Sequence, residues 1–322
     1  MSTRSREYSD GLTYHRDRMQ RPAFQASLLA PRNWPAWLGV AALELLMLLP
    51  CALILRAGAA FGALLAPLLR ERRRIVARNL ELCFPQMGEA ARAKLREDAL
   101  RDMGVMLGEF ALGWLASDRK LDELRVAVDG MEHLHALREQ GRGALLLGGH
   151  FSHLELCARL ISRRLHIAGM YRRMDSDVFE WLVLRARLDY ADAMFDKDEL
   201  RACVKYMKRG GFVWYAPDQD MRGKDSVFAP FFDIPASTIT ATHHLARLSG
   251  AAVVPFFHRR LPDGGYVLRL EAPLENFPTA DVVADTARIN ALIERMVLEA
   301  PGQYLWSHKR FKTRPTGMSS IY

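Results

Sequence analysis

The sequence is poor in cysteine: its 322 residues include only four, at positions 51, 83, 157 and 203. They are too scattered for a zinc-binding pair and too few for a disulfide framework in a chain of this length. We therefore expect reduced, mostly buried thiols. The sequence also lacks a G-x-S-x-G nucleophile motif and an H-E-x-x-H metal motif, which weakens the case for nucleophilic catalysis and for a catalytic metal.

Signatures of nucleic-acid binding are missing as well. No helix-turn-helix, zinc finger or RNP-like motif accompanies the basic residues, so we expect no nucleic-acid partner. Lys and Arg nevertheless outnumber Asp and Glu by 45 to 37, for a formal net charge of +8. This excess favours anionic partners such as a phospholipid surface or an acidic carrier protein.

One stretch is apolar enough to enter a membrane. Residues 35–55, PAWLGVAALELLMLLPCALIL, carry a single charge, Glu44, and are long enough to cross a hydrocarbon core of about 30 Å. We predict a polar segment over 1–34, a membrane anchor helix over 35–55 and a catalytic domain over 56–322. Residues 56–69 form a possible interfacial helix at the start of that domain.

The alternative is a buried helical hairpin of a soluble protein over 36–69, which the charge of Glu44 and the break at Pro50 would suit. The arginines that follow favour a cytoplasmic position for the downstream domain; they are Arg70, Arg72, Arg73 and Arg74.

Beyond residue 115, short apolar runs alternate with longer amphipathic stretches, which predicts strands alternating with helices. The strand candidates lie at 126–129, 144–149, 167–171, 212–217, 251–257 and 266–273. Runs such as ALLLGG are apolar throughout, which suits strands covered by helices on both faces. A turn over 262–265 predicts an antiparallel hairpin between the last two strands. We predict an α/β fold: a central mixed sheet flanked by helices, with an N-terminal transmembrane or membrane-embedded helix.

The string HFSHLE follows the strand candidate at 144–149, where a strand gives way to a helix and functional residues tend to collect. His150 and Glu155 would be about 140° apart on an ideal helix, so they cannot share a helical face. We therefore place His150 on the turn as a general base, with Glu155 reaching back to orient its ring. The alternative is a helix-capping His and a solvated Glu. Metal-ligand spacing is absent, so we predict no metal and assign no role to His153.

The sequence contains six strings that resemble, in the same order, segments of the late acyltransferases of lipid A biosynthesis, the lauroyl/myristoyl transferase family: HFSHLEL, YRRMDSDVFEWL, WYAPDQD, SVFAPFF, LARLSGAAVVPF and QYLWSHKRFKTRP. The likeness runs from about Leu28 to Tyr322. The family belongs to the wider glycerol-3-phosphate acyltransferase-like group, which uses an H-x4-D/E dyad. Glu155 matches the lauroyl-type branch, because the myristoyl-type branch generally has Asp there.

This resemblance implies transfer of a fatty acyl chain, laurate-like at the family level, from acyl carrier protein to a hydroxyl of a 3-hydroxyacyl chain on Kdo-lipid IVA. It implies no cofactor, and a site at the cytoplasmic face of the bacterial inner membrane, in contact with membrane lipids. His150 would deprotonate the acceptor hydroxyl, and Glu155 would orient the ring. The alternatives are a phospholipid acyltransferase, a lipid hydrolase at the membrane surface, or a non-enzymatic membrane-associated binding protein.

The resemblance also implies supporting roles for Arg187, Asp218 and Arg172. Arg187 could hold a phosphate through its planar fork, although an exposed Arg on a solvated helix is the simpler interpretation. Asp218 ends a strand, where a structural Asp often caps the next turn. Arg172 is followed by Arg173 in place of the usual Pro. The basic C-terminal segment is either a solvated tail or a positive surface for phosphates, headgroups or the carrier protein.

Overall fold

A computed structural model of the chain describes residues 19–196 and 198–322. Most of the predicted polar segment over 1–34 lies outside the described residues. Its described end forms two short 3-10 helices, Ala26–Leu29 and Pro31–Asn33.

Helices and strands alternate through most of the described chain, after a helical N-terminal part. The helices are α1 Trp34–Leu46, α2 Cys51–Leu65, α3 Arg70–Cys83, α4 Glu89–Leu115, α5 Asp118–Leu121, α6 Met131–Glu139, α7 Leu154–Ser162, α8 Asp177–Tyr190, α9 Leu200–Lys208, α10 Ala241–Ser249 and α11 Val282–Glu299. The strands are β1 Val126–Asp129, β2 Ala144–Leu147, β3 Ala168–Tyr171, β4 Met194–Asp196, β5 Phe212–Tyr215, β6 Ser226–Phe231, β7 Ile234–Ile239, β8 Ala252–Arg260 and β9 Tyr266–Leu270.

Seven strands form the central sheet in the order β1-β9-β8-β2-β5-β3-β4. Neighbouring strands run parallel except β8 and β9, which form the predicted antiparallel hairpin. The mixed α/β sheet is therefore confirmed, and all six strand candidates form strands. Because β2 lies beside β5, with Leu147 opposite Tyr215, the chain segments that follow these two strands leave the sheet side by side.

The sequence patterns missed three strands, for identifiable reasons. Strand β4 has only three residues, too few for a periodic pattern. Strands β6 and β7 form a separate hairpin whose turn residues, Phe232 and Asp233, both adopt positive φ angles without a glycine. The usual Asn-Gly or Asp-Gly hairpin signal is therefore absent.

Each face of the central sheet has its own core. Leu145 and Leu147 of β2 join a cluster with α10 and α11, whereas Leu146 joins a cluster with α2 and α7 on the other face. All four residues of β2 are fully buried, as the apolar run predicts.

The predicted single anchor helix over 35–55 is wrong as a continuous helix. Helix α1 ends at Leu46, and Pro50 precedes the new start at Cys51 because its ring fixes φ and removes the N–H that helix continuation needs. Within the described ranges, no single helix is both long and apolar enough to cross a membrane. Helices α2 and α3 taken together have the length and composition of a membrane span, but the chain bends by 97° between them.

Helix α2 packs against α4 through glycines. A Cβ atom on Gly62 would lie 2.6 Å from the Arg101 carbonyl oxygen, and one on Gly104 would overlap the backbone of both Gly58 and Gly62. The two backbones therefore approach more closely than any larger residue permits. This contact attaches α2 to α4, a helix that also packs against α3 and α7.

Replacing Gly104 by Ala should destabilise the protein by about 1–3 kcal/mol, because the added methyl group overpacks the α2–α4 contact. The measurement is thermal unfolding of the purified protein in detergent. Gly88→Ala is the matched control, since a Cβ there meets nothing within 4 Å. Equal unfolding temperatures for the two variants would contradict this account of the helix contact.

Candidate active site

The turn between β2 and α7 depends on two glycines. A Cβ on Gly148 would lie 2.8 Å from Nε1 of the Trp214 indole, and one on Gly149 would lie 3.2 Å from Ile293. The absence of side chains therefore lets Trp214 and helix α11 close around the turn. His150 follows at once on this turn, with its side chain 28% exposed.

His150 is held by Asp218. The backbone N–H of His150 donates to Asp218 Oδ2 at 2.9 Å, and the ring atom Nδ1 lies 2.6 Å from Oδ1. An ionised carboxylate only accepts, so Nδ1 carries the proton and Nε2 has the free lone pair. Throughout the described chain, Nε2 has no hydrogen-bond partner. An imidazole in this tautomer can accept a proton at Nε2.

The electrostatics of the pair follow from burial and proximity. Burial alone would raise the pKa of Asp218, but the charge and hydrogen bonds of His150 hold it well below its usual range. Burial opposes the charged form of His150, yet the Asp218 charge and hydrogen bond outweigh it and raise the pKa of the imidazole. The carboxylate therefore stabilises the imidazolium that would form after proton abstraction.

The C-terminal segment fixes the same turn. Ser152 N–H donates to the Gln303 carbonyl at 2.9 Å, and Leu305 N–H donates to the His150 carbonyl at 3.0 Å. The Tyr304 hydroxyl is near Asp218, and burial together with the charge of that carboxylate raises the pKa of Tyr304. The turn that carries His150 is therefore hydrogen-bonded to two chain segments: the one that follows β5, through Asp218, and the one over 303–305.

Glu155 does not hold the His150 ring, contrary to the sequence-based expectation. Its carboxylate is buried in the first turn of α7, where it accepts from Trp114 Nε1 at 2.5 Å and from two nitrogens of Arg187. The physical reason is competition: a bidentate guanidinium pairs more strongly with a carboxylate than a neutral imidazole does. The carboxylate that contacts the His150 ring is that of Asp218, for which the sequence predicted only a supporting role.

Arg187 is correspondingly not an exposed cation on a solvated face. Its Nε and Nη2 both donate to Glu155, so the guanidinium edge formed by these two nitrogens is occupied by a carboxylate of this chain. Arg172 lies outside this arrangement: its side chain is 82% exposed and 3.9 Å from Asp175. The structure thus brings together two separate pairs, His150 with Asp218 and Arg187 with Glu155.

The expected thiols and the C-terminal segment also have clear positions. All four cysteines are free and buried, as predicted.

The C-terminal segment is not a solvated tail, since Trp306, Arg310 and Phe311 are almost fully buried. Arg310 donates to the Ser237 carbonyl at 2.9 Å and to the Thr238 hydroxyl at 2.6 Å. This basic residue is structural.

Sequence reasoning missed Trp114 and Tyr304 as neighbours of the site. Both belong to strings of ordinary core composition, and each reaches its carboxylate from a part of the chain far from it in sequence. One weak signal existed for Tyr304, because QYLWSHKRFKTRP was already among the strings that carried the resemblance.

Comparisons with known proteins identify the family of this chain. The family model described as bacterial lipid A biosynthesis acyltransferase matches residues 21–313. The chain belongs to this family. The lipid A biosynthesis lauroyltransferase of Escherichia coli is 41% identical over 94% of this chain and 99% of its own length. The palmitoleoyltransferase of Escherichia coli is 38% identical over 93% of this chain and 98% of its own, and the myristoyltransferase is 28% identical over 94% of each.

This lipid A acyltransferase is therefore an enzyme of acyl transfer in lipid A biosynthesis, and its identity is higher to the lauroyl-type relative than to the myristoyl-type one. A solved 1-acyl-sn-glycerophosphate acyltransferase from Thermotoga maritima aligns with a TM-score of 0.37 at 14% identity, covering 71% of this chain and 97% of that one. That likeness is too slight to support a conclusion about the present chain.

The pairing of His150 with Asp218 makes a direct prediction about titration. Asp218→Asn should lower the pKa of His150, because the carboxylate charge that stabilises the imidazolium is removed. The measurement is an NMR titration of protein labelled with ¹⁵N-histidine, with the His150 signal assigned by its loss in His150→Gln.

Glu155→Gln is the matched control for this titration, and it should leave the His150 pKa unchanged because Glu155 contacts Arg187 and Trp114 instead. An equal or larger decrease in Glu155→Gln would restore Glu155 as the ring's partner and contradict the present assignment.

Proposed function

We propose that this enzyme transfers a fatty acyl chain from acyl carrier protein to a hydroxyl of a 3-hydroxyacyl chain on Kdo-lipid IVA, with His150 as the general base. The observation that carries the proposal is the orientation of His150: Nδ1 is bonded to a buried carboxylate, and Nε2 is free on a partly exposed turn. The relatives' names include laurate, palmitoleate and myristate as the acyl group, and we propose a laurate-like chain because the lauroyltransferase has the highest identity of these three, at 41%.

The reaction needs one proton to move twice. His150 Nε2 takes the proton of the acceptor hydroxyl as its oxygen attacks the thioester carbonyl. The tetrahedral intermediate then collapses with cleavage of the C–S bond, and the imidazolium returns the proton to the departing thiolate. Asp218 stays ionised and stabilises the imidazolium between these steps. No covalent acyl-enzyme is required.

Glu155 contributes to the proposed mechanism through position. It ties the first turn of α7 to α8 through Arg187 and to α4 through Trp114. The ion pair is almost buried, and loss of one partner of such a pair leaves an uncompensated charge. We therefore assign Glu155 the role of fixing the helix that follows the His150 turn, and Arg187 the role of its counter-ion.

His150→Ala should lower acyl transfer by about 10²- to 10⁴-fold, the usual contribution of a general base, while the protein remains folded. The assay uses purified enzyme, acyl-loaded carrier protein and Kdo-lipid IVA, with the product measured by mass spectrometry. His244→Ala is the control, because His244 is exposed on α10.

Transfer at the wild-type rate in His150→Ala would refute the general-base mechanism. Omission of Kdo-lipid IVA separates the hydrolase alternative: a transferase accumulates no free fatty acid at the transfer rate, whereas a hydrolase does.

The N-terminal helices support attachment to a bilayer. Half of the exposed large apolar side chains among the described residues lie between Trp34 and Leu69, including Leu48 at 79% and Leu64 at 73% exposure. A patch of this kind on a protein surface marks an interaction site. Since α2 is also packed on α4, we propose that α1 and α2 lie in one leaflet with their exposed faces among the acyl chains, at the cytoplasmic face of the inner membrane.

Basic residues adjoin this apolar region. Helix α3 begins at Arg70, directly after Leu68 and Leu69, and Arg72 reaches the C-terminal segment by donating to the Ser307 carbonyl at 3.1 Å. Cations at the edge of an apolar face suit lipid phosphates and an acidic carrier protein. This is the surface on which we expect both substrates to arrive.

The double variant Leu48→Ser/Leu64→Ser should weaken binding to anionic phospholipid vesicles, because two apolar side chains no longer enter the leaflet. Vesicle flotation of the purified protein measures the effect. Leu298→Ser is the matched control, since Leu298 is also exposed, at 59%, but lies on α11. Equal losses in both proteins would contradict the proposed orientation.

A further inference from the structure

A second group of reactive side chains lies behind the His150 turn. His153 immediately precedes α7, Cys157 lies one helical turn further on, and His258 comes from β8. One ligand atom from each of the three lies within 4.8 Å of the other two, and all three residues are buried. The proposed acyl-transfer mechanism uses none of them.

Local structure explains how the three meet. The Cys157 N–H donates to the His153 carbonyl at 2.9 Å, so the two side chains occupy the same face one turn apart. On β8, Val254 and Phe256 face the core that also contains Cys157, and His258 continues this alternation. The α7 residues and the strand residue therefore converge on one point between sheet and helix.

The hydrogen bonding of this group is incomplete. Neither ring nitrogen of His258 finds a partner among the described residues, although this side chain is only 6% exposed. Leaving a buried imidazole without any hydrogen-bond partner costs stability. A ligand that accepts nitrogen lone pairs would remove that penalty.

His153 already has the arrangement common in metal-binding histidines. Its Nε2 lies 3.0 Å from the His258 carbonyl oxygen, so Nε2 donates the proton and Nδ1 holds the lone pair. A second ring nitrogen bonded to a backbone carbonyl fixes the tautomer and orients the ligand. Ser152, the only hydroxyl near Nδ1 among the described contacts, is 3.4 Å away.

A buried carboxyl group lies near these residues. Glu109 of α4 is fully buried, accepts from Tyr266 at 2.8 Å and from Arg260 at 2.6 Å through Oε1, and leaves Oε2 without a partner in the described chain. Burial raises the pKa of Glu109 to about 8, and Arg260 is its cationic partner. The negative ligand charge would therefore come from Cys157, because a thiol that coordinates a metal ion is deprotonated.

We infer that His153, Cys157 and His258 bind a structural zinc ion that fastens the start of α7 to strand β8. Two imidazoles and one thiolate are ligands that Zn²⁺ prefers. Tetrahedral zinc with bonds of 2.0–2.3 Å places its ligand atoms about 3.3–3.7 Å apart. Binding therefore draws the present atoms together by at most about 1.5 Å, within the range of side-chain rotation. The His150 chemistry does not depend on this ion.

The sequence contained no recognised signature of this site because its third ligand is 105 residues away from His153. The prediction of no metal rested on the absent H-E-x-x-H spacing and on the scatter of the cysteines along the sequence. The metal that it weighed was a catalytic one at His150, His153 and Glu155, which is a different set of ligands.

The test is metal analysis of the full-length protein, purified in detergent from zinc-supplemented cells and measured by inductively coupled plasma mass spectrometry. We expect about one zinc per chain, and at least a fivefold decrease in Cys157→Ser and in His258→Phe. Cys203→Ser is the matched control, since Cys203 is an equally buried free thiol in the core on the opposite face of the sheet.

Cobalt substitution of the unmutated protein tests the same site without a folding defect, because cobalt bound to Cys157 should give a thiolate-to-metal charge-transfer band. The variants then assign the band: Cys203→Ser should retain it and Cys157→Ser should lack it. Less than one-tenth of a zinc per chain in the wild type, no such cobalt band, or equal zinc in wild type and Cys157→Ser would each overturn the inference. Acyl transfer is scored separately, through His150→Ala.

Discussion

The pairing of His150 with Asp218 is the interaction on which the site depends. Asp218 is almost fully buried, and a carboxylate in that position needs a charged or hydrogen-bonded partner. The partner can be His150 only because β2 and β5 are adjacent and parallel, so that both chain segments leave the sheet at the same edge. Sheet topology thus sets the tautomer of the imidazole, the pKa of both groups and the direction in which Nε2 points.

A second buried pair stabilises the surroundings. Glu155 joins α7 to Arg187 of α8 and to Trp114 of α4, so three helices converge on one carboxylate. The His-x4-Glu pattern therefore places members of two different pairs in one short string. His150 is oriented by a residue far away in sequence, whereas Glu155 connects the helix that follows to its neighbours.

The N-terminal region combines two properties that a simple anchor would not need together. Its helices expose leucines on one side, yet α2 packs on α4 by glycine contacts too close for any side chain. A helix fixed to the catalytic domain in this way holds the active site at a set distance from whatever surface the leucines enter. This geometry suits an enzyme of lipid A biosynthesis, whose acceptor is a lipid.

Sequence alone determined much of this protein. The apolar runs located six strands, the Gly-Gly-His string located the reacting turn, and ordered motifs over nearly the whole chain identified the family, because these features are local. Tertiary structure decided the rest. Asp218 replaced Glu155 as the partner of His150, Pro50 divided the predicted anchor helix, and His258 joined His153 and Cys157. Each of these outcomes depends on which distant segments share an edge or face of the sheet, which residue spacing along one chain does not specify.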